Sequence, residues 1–215
     1  MTRKTSKNAR NSTFSGPRMG RPRMPVVLAS ESARRQEMLN FLRIPFTACA
    51  PRTEESWRPG QDANAVAVRL ARRKARACVA PAGGLVIAMD TVVVLGRTIL
   101  GKPTDADEAR AMLRQLSGRG HRVVTGVALS HNGHVTAGHE TTRVYFRHLK
   151  ESEIDWYARS GEPFDKAGGY GIQGLARLFV GGIDGCFYNV VGFPITLFQT
   201  LLANLNLTIY DLMKR

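Results

Sequence analysis

Between Pro25 and Leu205, short continuous apolar runs take turns with segments whose apolar residues recur every three or four positions. "PVVLA" (25–29) has the pattern of a buried strand, and "ARRQEMLNFL" after it places Met38, Leu39 and Leu42 at helical spacing. "IPFTACA" predicts a second strand. "PRTEESWRPG" is a polar loop punctuated by two prolines and a glycine. A long helix is predicted over Ala63–Val79, ended by "PAGG", and "LVIAMDTVVVL" is a buried strand interrupted only by Asp90 and Thr91. "DADEARAMLRQL" is a helix with acids in its first turn, where the macrodipole favours them. "HRVVTGVALSHNGHVTAGHETTRVYFRHL" predicts a hairpin with Asn132-Gly133 at its tip. "SEIDWYARSG" and "PITLFQTLLANL" are two further helices. No repeat or linker divides the body. The expected fold is α/β, a single domain over 25–215 with a central mixed twisted sheet flanked by helices.

Composition adds limits. A chain of 215 residues with 43% hydrophobic content can bury one sizeable core. No apolar run reaches the ~20 residues of a bilayer span, and no apolar segment of signal-peptide type opens the chain, so no membrane partner and a cytoplasmic location are expected. Cys49, Cys78 and Cys186 are scattered and include no CxxC pair, which predicts reduced thiols. The formal net charge is +14, and seven of the cations lie in residues 1–24, which contain no acid. That tail, rich in Ser, Thr, Asn, Gly and Arg, is expected to be disordered, with a true start at Met19 or Met24 as the simplest reason for it. A basic body expects an anionic partner.

Four stretches carry candidate chemistry. In "VVLASESARR" a strand turns into a helix start where Ser30 or Ser32 can cap, and Arg34 and Arg35 stand where the helix dipole repels cations. Exposed N–H groups and two arginines there suit a phosphate. On the long helix, Ala63, Val66, Ala67, Leu70 and Ala77 share one face and Arg69, Arg72, Arg73 and Arg76 the other, yet Lys74 falls within the apolar stripe. It either snorkels to the surface or meets an anion in a cleft. Asp90 is costly inside an apolar strand unless paired, bound to metal or protonated, and Lys102 of "GKP" can return near it. "EPFDKAGGYGIQG" brings Asp165, Lys166 and Gln173 into a glycine-rich loop whose spacing is not that of a dinucleotide-binding turn. His131, His134 and His139 flank the hairpin tip at no metal-ligand spacing and are set aside.

Taken together, "LASESARRQEML", "EES", "LARRKARA", "MDTVVVLGRTILGKP", "LSGRGHRVVTGV", "FDKAGGYGIQG" and "VVGFPI" resemble, in order across residues 25–200, the Maf family of nucleoside triphosphate pyrophosphatases. The resemblance implies a fold like that of inosine triphosphatases and hydrolysis to monophosphate plus pyrophosphate with a divalent cation, Mg²⁺ first and Mn²⁺ or Co²⁺ as substitutes. It implies Asp90 as base, Glu54 and Asp90 as metal ligands, and Lys74 and Lys102 as further catalytic cations. Ser30, Ser32, Arg34 and Arg35 become substrate-binding residues, with Arg34, Thr91 and Gln173 matching the dTTP/UTP group. A homodimer is also implied. Ala33 stands where the family usually has proline, and Met89 stands where a smaller residue is common, which would narrow the pocket wall. Two other classes remain at this point: a basic nucleic-acid-binding module without hydrolysis, and a phosphatase releasing single phosphates. An enzyme acting mainly on modified nucleotides is a third variant. Nucleic acid is not the expected partner, because the body's cations stand beside acids that repel a phosphate backbone.

Overall fold

A computed structural model describes residues 24–213; the expectations for the tail and for the translation start fall outside them, Met24 apart. Thirteen regular elements follow in the order β1 (Val26–Ala29), α1 (Ala33–Phe41), β2 (Thr47–Cys49), α2 (Ala63–Ala77), β3 (Leu85–Leu95), β4 (Thr98–Leu100), α3 (Ala106–Leu116), β5 (Gly120–His131), β6 (His134–Phe146), α4 (Glu151–Ala158), β7 (Val180–Asp184), α5 (Phe187–Val191) and α6 (Ile195–Ala203). The sheet runs β2-β1-β3-β5-β6-β7, with β4 on the edge of β3. β1 pairs in parallel with β2 and β3, and every other pairing is antiparallel. The mixed sheet and the single domain are as expected.

Strand alternation divides the core. Leu85, Ile87 and Met89 of β3 pack with Met38 and Leu39 of α1 and Phe198, Leu201 and Leu202 of α6 on one face. Val86 and Ala88 face the other way, against Ala71 and Ala75 of α2. Met89 is therefore fully buried in the core behind the sheet, and the expectation that it narrows a pocket wall is corrected by the two-residue period of the strand. α3 and α4 cover the far end of the α1 face, through Leu113, Leu116, Ile154 and Tyr157.

Two further expectations change. Ser32 is the N-cap residue of α1 but its side chain makes no capping bond; instead Ser30 Oγ accepts from the Ser32 N–H at 3.2 Å. The cysteines are not all reduced: Cys49, at the end of β2, is joined to Cys78, which caps the C-terminus of α2, and Cys186 alone is free. Sequence spacing hides this pair because the edge strand and the helix end meet only in the folded sheet.

Candidate active site

β3 is longer than β1 and β4, which share one of its edges, and between them they leave a gap. β1 covers it as far as Ala88, and β4 resumes at Val93. Residues 89–92 have no strand on that side, so backbone and side chains at Asp90 and Thr91 open into a cleft of about 290 Å³. Such a break beyond the carboxyl end of a parallel strand is where open α/β sheets bind ligands.

Asp90 faces α2 and is 5% exposed. Its register partner on β5 is Gly126. A methyl group on Gly126 would lie 2.3 Å from the backbone of Ala67, so the glycine is what allows α2 to lie this close to the sheet. Lys74, two turns after Ala67, is buried by that approach and meets Asp90: Lys74 Nζ donates to Asp90 Oδ1 at 2.5 Å and to Glu55 Oε1 at 2.6 Å. Of the two fates open to Lys74, it takes the cleft. Lys102 Nζ donates to Glu55 Oε2 at 3.0 Å, so its partner is Glu55 and not Asp90.

Burial holds the Asp90 carboxyl above its ordinary range, against the pull of Lys74 and Arg35. Burial also opposes charge on Glu55, but the hydrogen bonds and charges of Lys74 and Lys102 outweigh it and bring its pKa down to about 2. The two carboxylates are thus pushed apart, which is the pattern of a pair with separate tasks.

On the opposite face of β3, Thr91 Oγ1 lies 3.0 Å from Thr125 Oγ1 and accepts from Arg35 Nη2 at 3.1 Å. Arg35 is buried, and it also donates to Ser30 Oγ at 3.1 Å and to the Gly192 carbonyl at 3.1 Å. Gly192 has φ +98, and a side chain there would press on Thr91 and Arg35. Arg35 is therefore a fixed strut between the serine turn, β3 and the turn after α5. Arg34 stays partly exposed at the mouth, 3.8 Å from Asp165. Ser30, Ser32, Arg34, Arg35, Lys74, Asp90, Thr91 and Lys102 all line the cleft.

Two expected site residues do not. Glu54 is exposed and outside the lining; Glu55, the next residue, is the acid that reaches the cations. Gln173 lies one position past the lining residue Ile172, with its Oε1 buried and without a hydrogen-bond partner. Glu55 and Tyr170, which sequence reasoning left aside, and Asp165 and Lys166 of the glycine-rich loop, to which it gave no role, all line the cleft. Lys166 Nζ is held by the Glu162 carbonyl at 2.7 Å and by Asp165 Oδ1 at 2.5 Å. The glycines of that loop were the available signal: a methyl on Gly171 would lie 2.7 Å from Lys166 Cε, and one on Gly174 would overlap the Glu162 carboxylate.

The arginines of α2 gather outside as expected. Arg69, Arg72, Arg73 and Arg76 line a shallow depression with His139, on the helix face away from Asp90.

The Maf-like protein family matches residues 25–205 of this chain. The chain belongs to the Maf family. Among similar Maf relatives, the dTTP/UTP pyrophosphatase of Myxococcus xanthus is 50% identical over 171 residues, 79% of this chain and 87% of its own length. That of Thermococcus gammatolerans is 49% identical, covering 82% of this chain and 94% of its own. That of Halalkalibacterium halodurans is 46% identical, covering 80% and 91%. A HAM1 protein structure from Coxiella burnetii aligns at TM-score 0.39 and 19% identity over 57% of this chain and 73% of its own, too distant to add to the family match.

Proposed function

We propose that this protein hydrolyses nucleoside triphosphates between the α- and β-phosphates, with dTTP and UTP preferred, releasing the monophosphate and pyrophosphate. The observation that carries the reading is the buried Asp90 carboxylate in a cleft with Lys74, Lys102, Arg34 and Lys166 around it. A triphosphate brings about four negative charges, and these cations are arranged to take them. The names of the relatives support the substrate pair.

The donor set fits a hard cation. Asp90 Oδ1 and Glu55 Oε1 share one ammonium, and Asp90 Oδ2 accepts no hydrogen bond from the described residues. Among those residues no group of three or more His, Cys, Asp or Glu side chains gathers, and the carboxylates that meet at Lys74 are Asp90 and Glu55. That suits Mg²⁺, which keeps water and substrate oxygens in its shell; Mn²⁺ or Co²⁺ can substitute. When bound, the ion would neutralise triphosphate charge and lower the cost of attack at phosphorus.

The chain's own residues supply the rest. In its carboxylate form Asp90, shielded from bulk water, takes a proton from the attacking water. Lys74, which bridges the two acids, would share the charge of a bound phosphate. Lys102 and Arg34 hold the outer phosphates at the mouth. For the base, Thr91 is fixed by Arg35 and Thr125, and the unpartnered Gln173 oxygen, one residue past the lining, would accept from the N3–H of a pyrimidine. A cytoplasmic homodimer acting on the nucleotide pool completes the proposal, and sedimentation of the pure protein checks the dimer. The function itself is tested by incubating the protein and Mg²⁺ with dTTP, UTP, GTP and 7-methyl-GTP. Pyrophosphate from the first two at least about tenfold faster than from the others is expected, a gap of about 1.4 kcal/mol in barrier. Equal rates on all four would remove the pyrimidine assignment.

A further inference from the structure

The segment carrying Glu55 is weakly tied to the rest of the fold. β2, which leads into it, is a three-residue edge strand paired only with β1, and Thr47 and Ala48 on it are exposed. Residues 50–62 contain no helix or strand. Apart from the Glu55 ion pairs, the segment is held by a hydrogen bond from Arg69 to the Ser56 carbonyl and by Trp57 lying near Gly101. At its root stands the Cys49–Cys78 bond.

That bond is placed with respect to the site. Glu55 follows Cys49 by six residues, and Lys74 precedes Cys78 by one helical turn, so both partners of the Glu55–Lys74 pair lie inside the ring the disulfide closes. Cys78 is buried beneath α2 among Ala71, Ala75 and the β1 residues Val27 and Ala29, which makes it a fixed anchor. Cys49 is half-buried at the edge. Pro51, two residues on, already lines the cleft.

We propose that the Cys49–Cys78 disulfide is a positioning cross-link for Glu55, and that its reduction by a dithiol loosens the 50–62 segment and withdraws Glu55 from Lys74. The inference rests on the reading of Glu55 as a site carboxylate. A dithiol thiolate attacks the Cys49 sulfur, and Cys78 leaves as a thiolate and is protonated. The second thiol of the reductant then releases Cys49 and closes its own disulfide, so two electrons and two protons pass to the protein. The segment then loses its one covalent tie and keeps three residue pairs of an edge strand, the Arg69–Ser56 hydrogen bond, Trp57 and the Glu55 ion pairs, so that Glu55 is no longer held in a preset position. Loss of such support costs about tenfold or more in metal affinity.

Three measurements on the full chain, with dithiothreitol as the probe, decide it. Thiol titration in denaturant should find one thiol before reduction, that of Cys186, and three after it. Tryptic cleavage after the exposed Arg52 should accelerate several-fold on reduction. The Mg²⁺ concentration for half-maximal hydrolysis of dTTP should rise about tenfold with kcat changed less, and oxidised glutathione should reverse both effects. A Cys49→Ser, Cys78→Ser variant should match the reduced protein and ignore dithiothreitol; reduction of the unsubstituted protein gives the same readings should that variant not fold. Three thiols before reduction, or cleavage at Arg52 that does not respond, would overturn the cross-link. Absence of hydrolysis in both redox states would instead sink the proposed function, while cleavage at Arg52 still decides the cross-link.

Discussion

At the residue scale, two adjacent acids give the sharpest contrast. Glu55 contacts both Lys74 and Lys102, and Glu54 contacts neither. Glu55→Gln should cut kcat/KM about a hundredfold, whereas Glu54→Gln should stay within about twofold, read by steady-state pyrophosphate release. Asp90→Asn should lose at least about a hundredfold through the missing base. Because burial raises the Asp90 pKa, the protonated and inactive form persists to higher pH than for an ordinary aspartate at 3.8. Activity should therefore fall as pH drops through a limb lying above that value, in kcat/KM against pH. Lys74 and Asp90 are legible in the sequence because each breaks an apolar pattern. Glu54 and Glu55 are not separable there: two acids in a polar loop look alike until the fold brings one of them to a buried ammonium. Gln173 is named from the resemblance alone for a related reason, since a glycine-rich loop has no period from which to read a direction.

At the element scale, the site depends on how closely α2 lies on β3 and β5. Gly126→Ala should push the helix off the sheet, destabilise the protein by about 1–3 kcal/mol, and lower kcat/KM at least about tenfold by displacing Lys74 from Asp90. Gly133→Ala, at the hairpin tip with open space around it and φ +79, should cost about 1 kcal/mol and leave kcat/KM unchanged. Urea titration and steady-state kinetics on both variants separate packing from strain. The period of α2 and the apolar run of β3 are strong enough to place these elements to within two residues. The short edge elements β2 and β7 are weakly marked, because they are half exposed and owe their pairing to neighbours distant in sequence. For the same reason the disulfide escapes a reading by spacing.

At the scale of the whole molecule, stability and chemistry respond to acid through different groups. His121 is buried on β5 against Phe146 and Tyr170, with Nε2 2.7 Å from the Tyr170 hydroxyl, and burial lowers its pKa to about 4. The unfolded chain takes up that proton near 6.5 and the folded chain only near 4, so the protein should lose about 3 kcal/mol as pH falls from 6.5 to 4. His121→Gln should flatten that part of the stability curve, measured by urea unfolding at pH 7 and pH 5. The fold class was legible because strand and helix periods agree along the whole body, and the cleft was not, because a gap between β1 and β4 belongs to the topology and not to any one segment. What the cleft does is tested most directly by product identity. With dTTP or UTP and Mg²⁺, chromatography should show monophosphate and pyrophosphate in equal amounts, lost in Asp90→Asn. Inorganic phosphate with the diphosphate as the organic product, or full activity in Asp90→Asn, would contradict it.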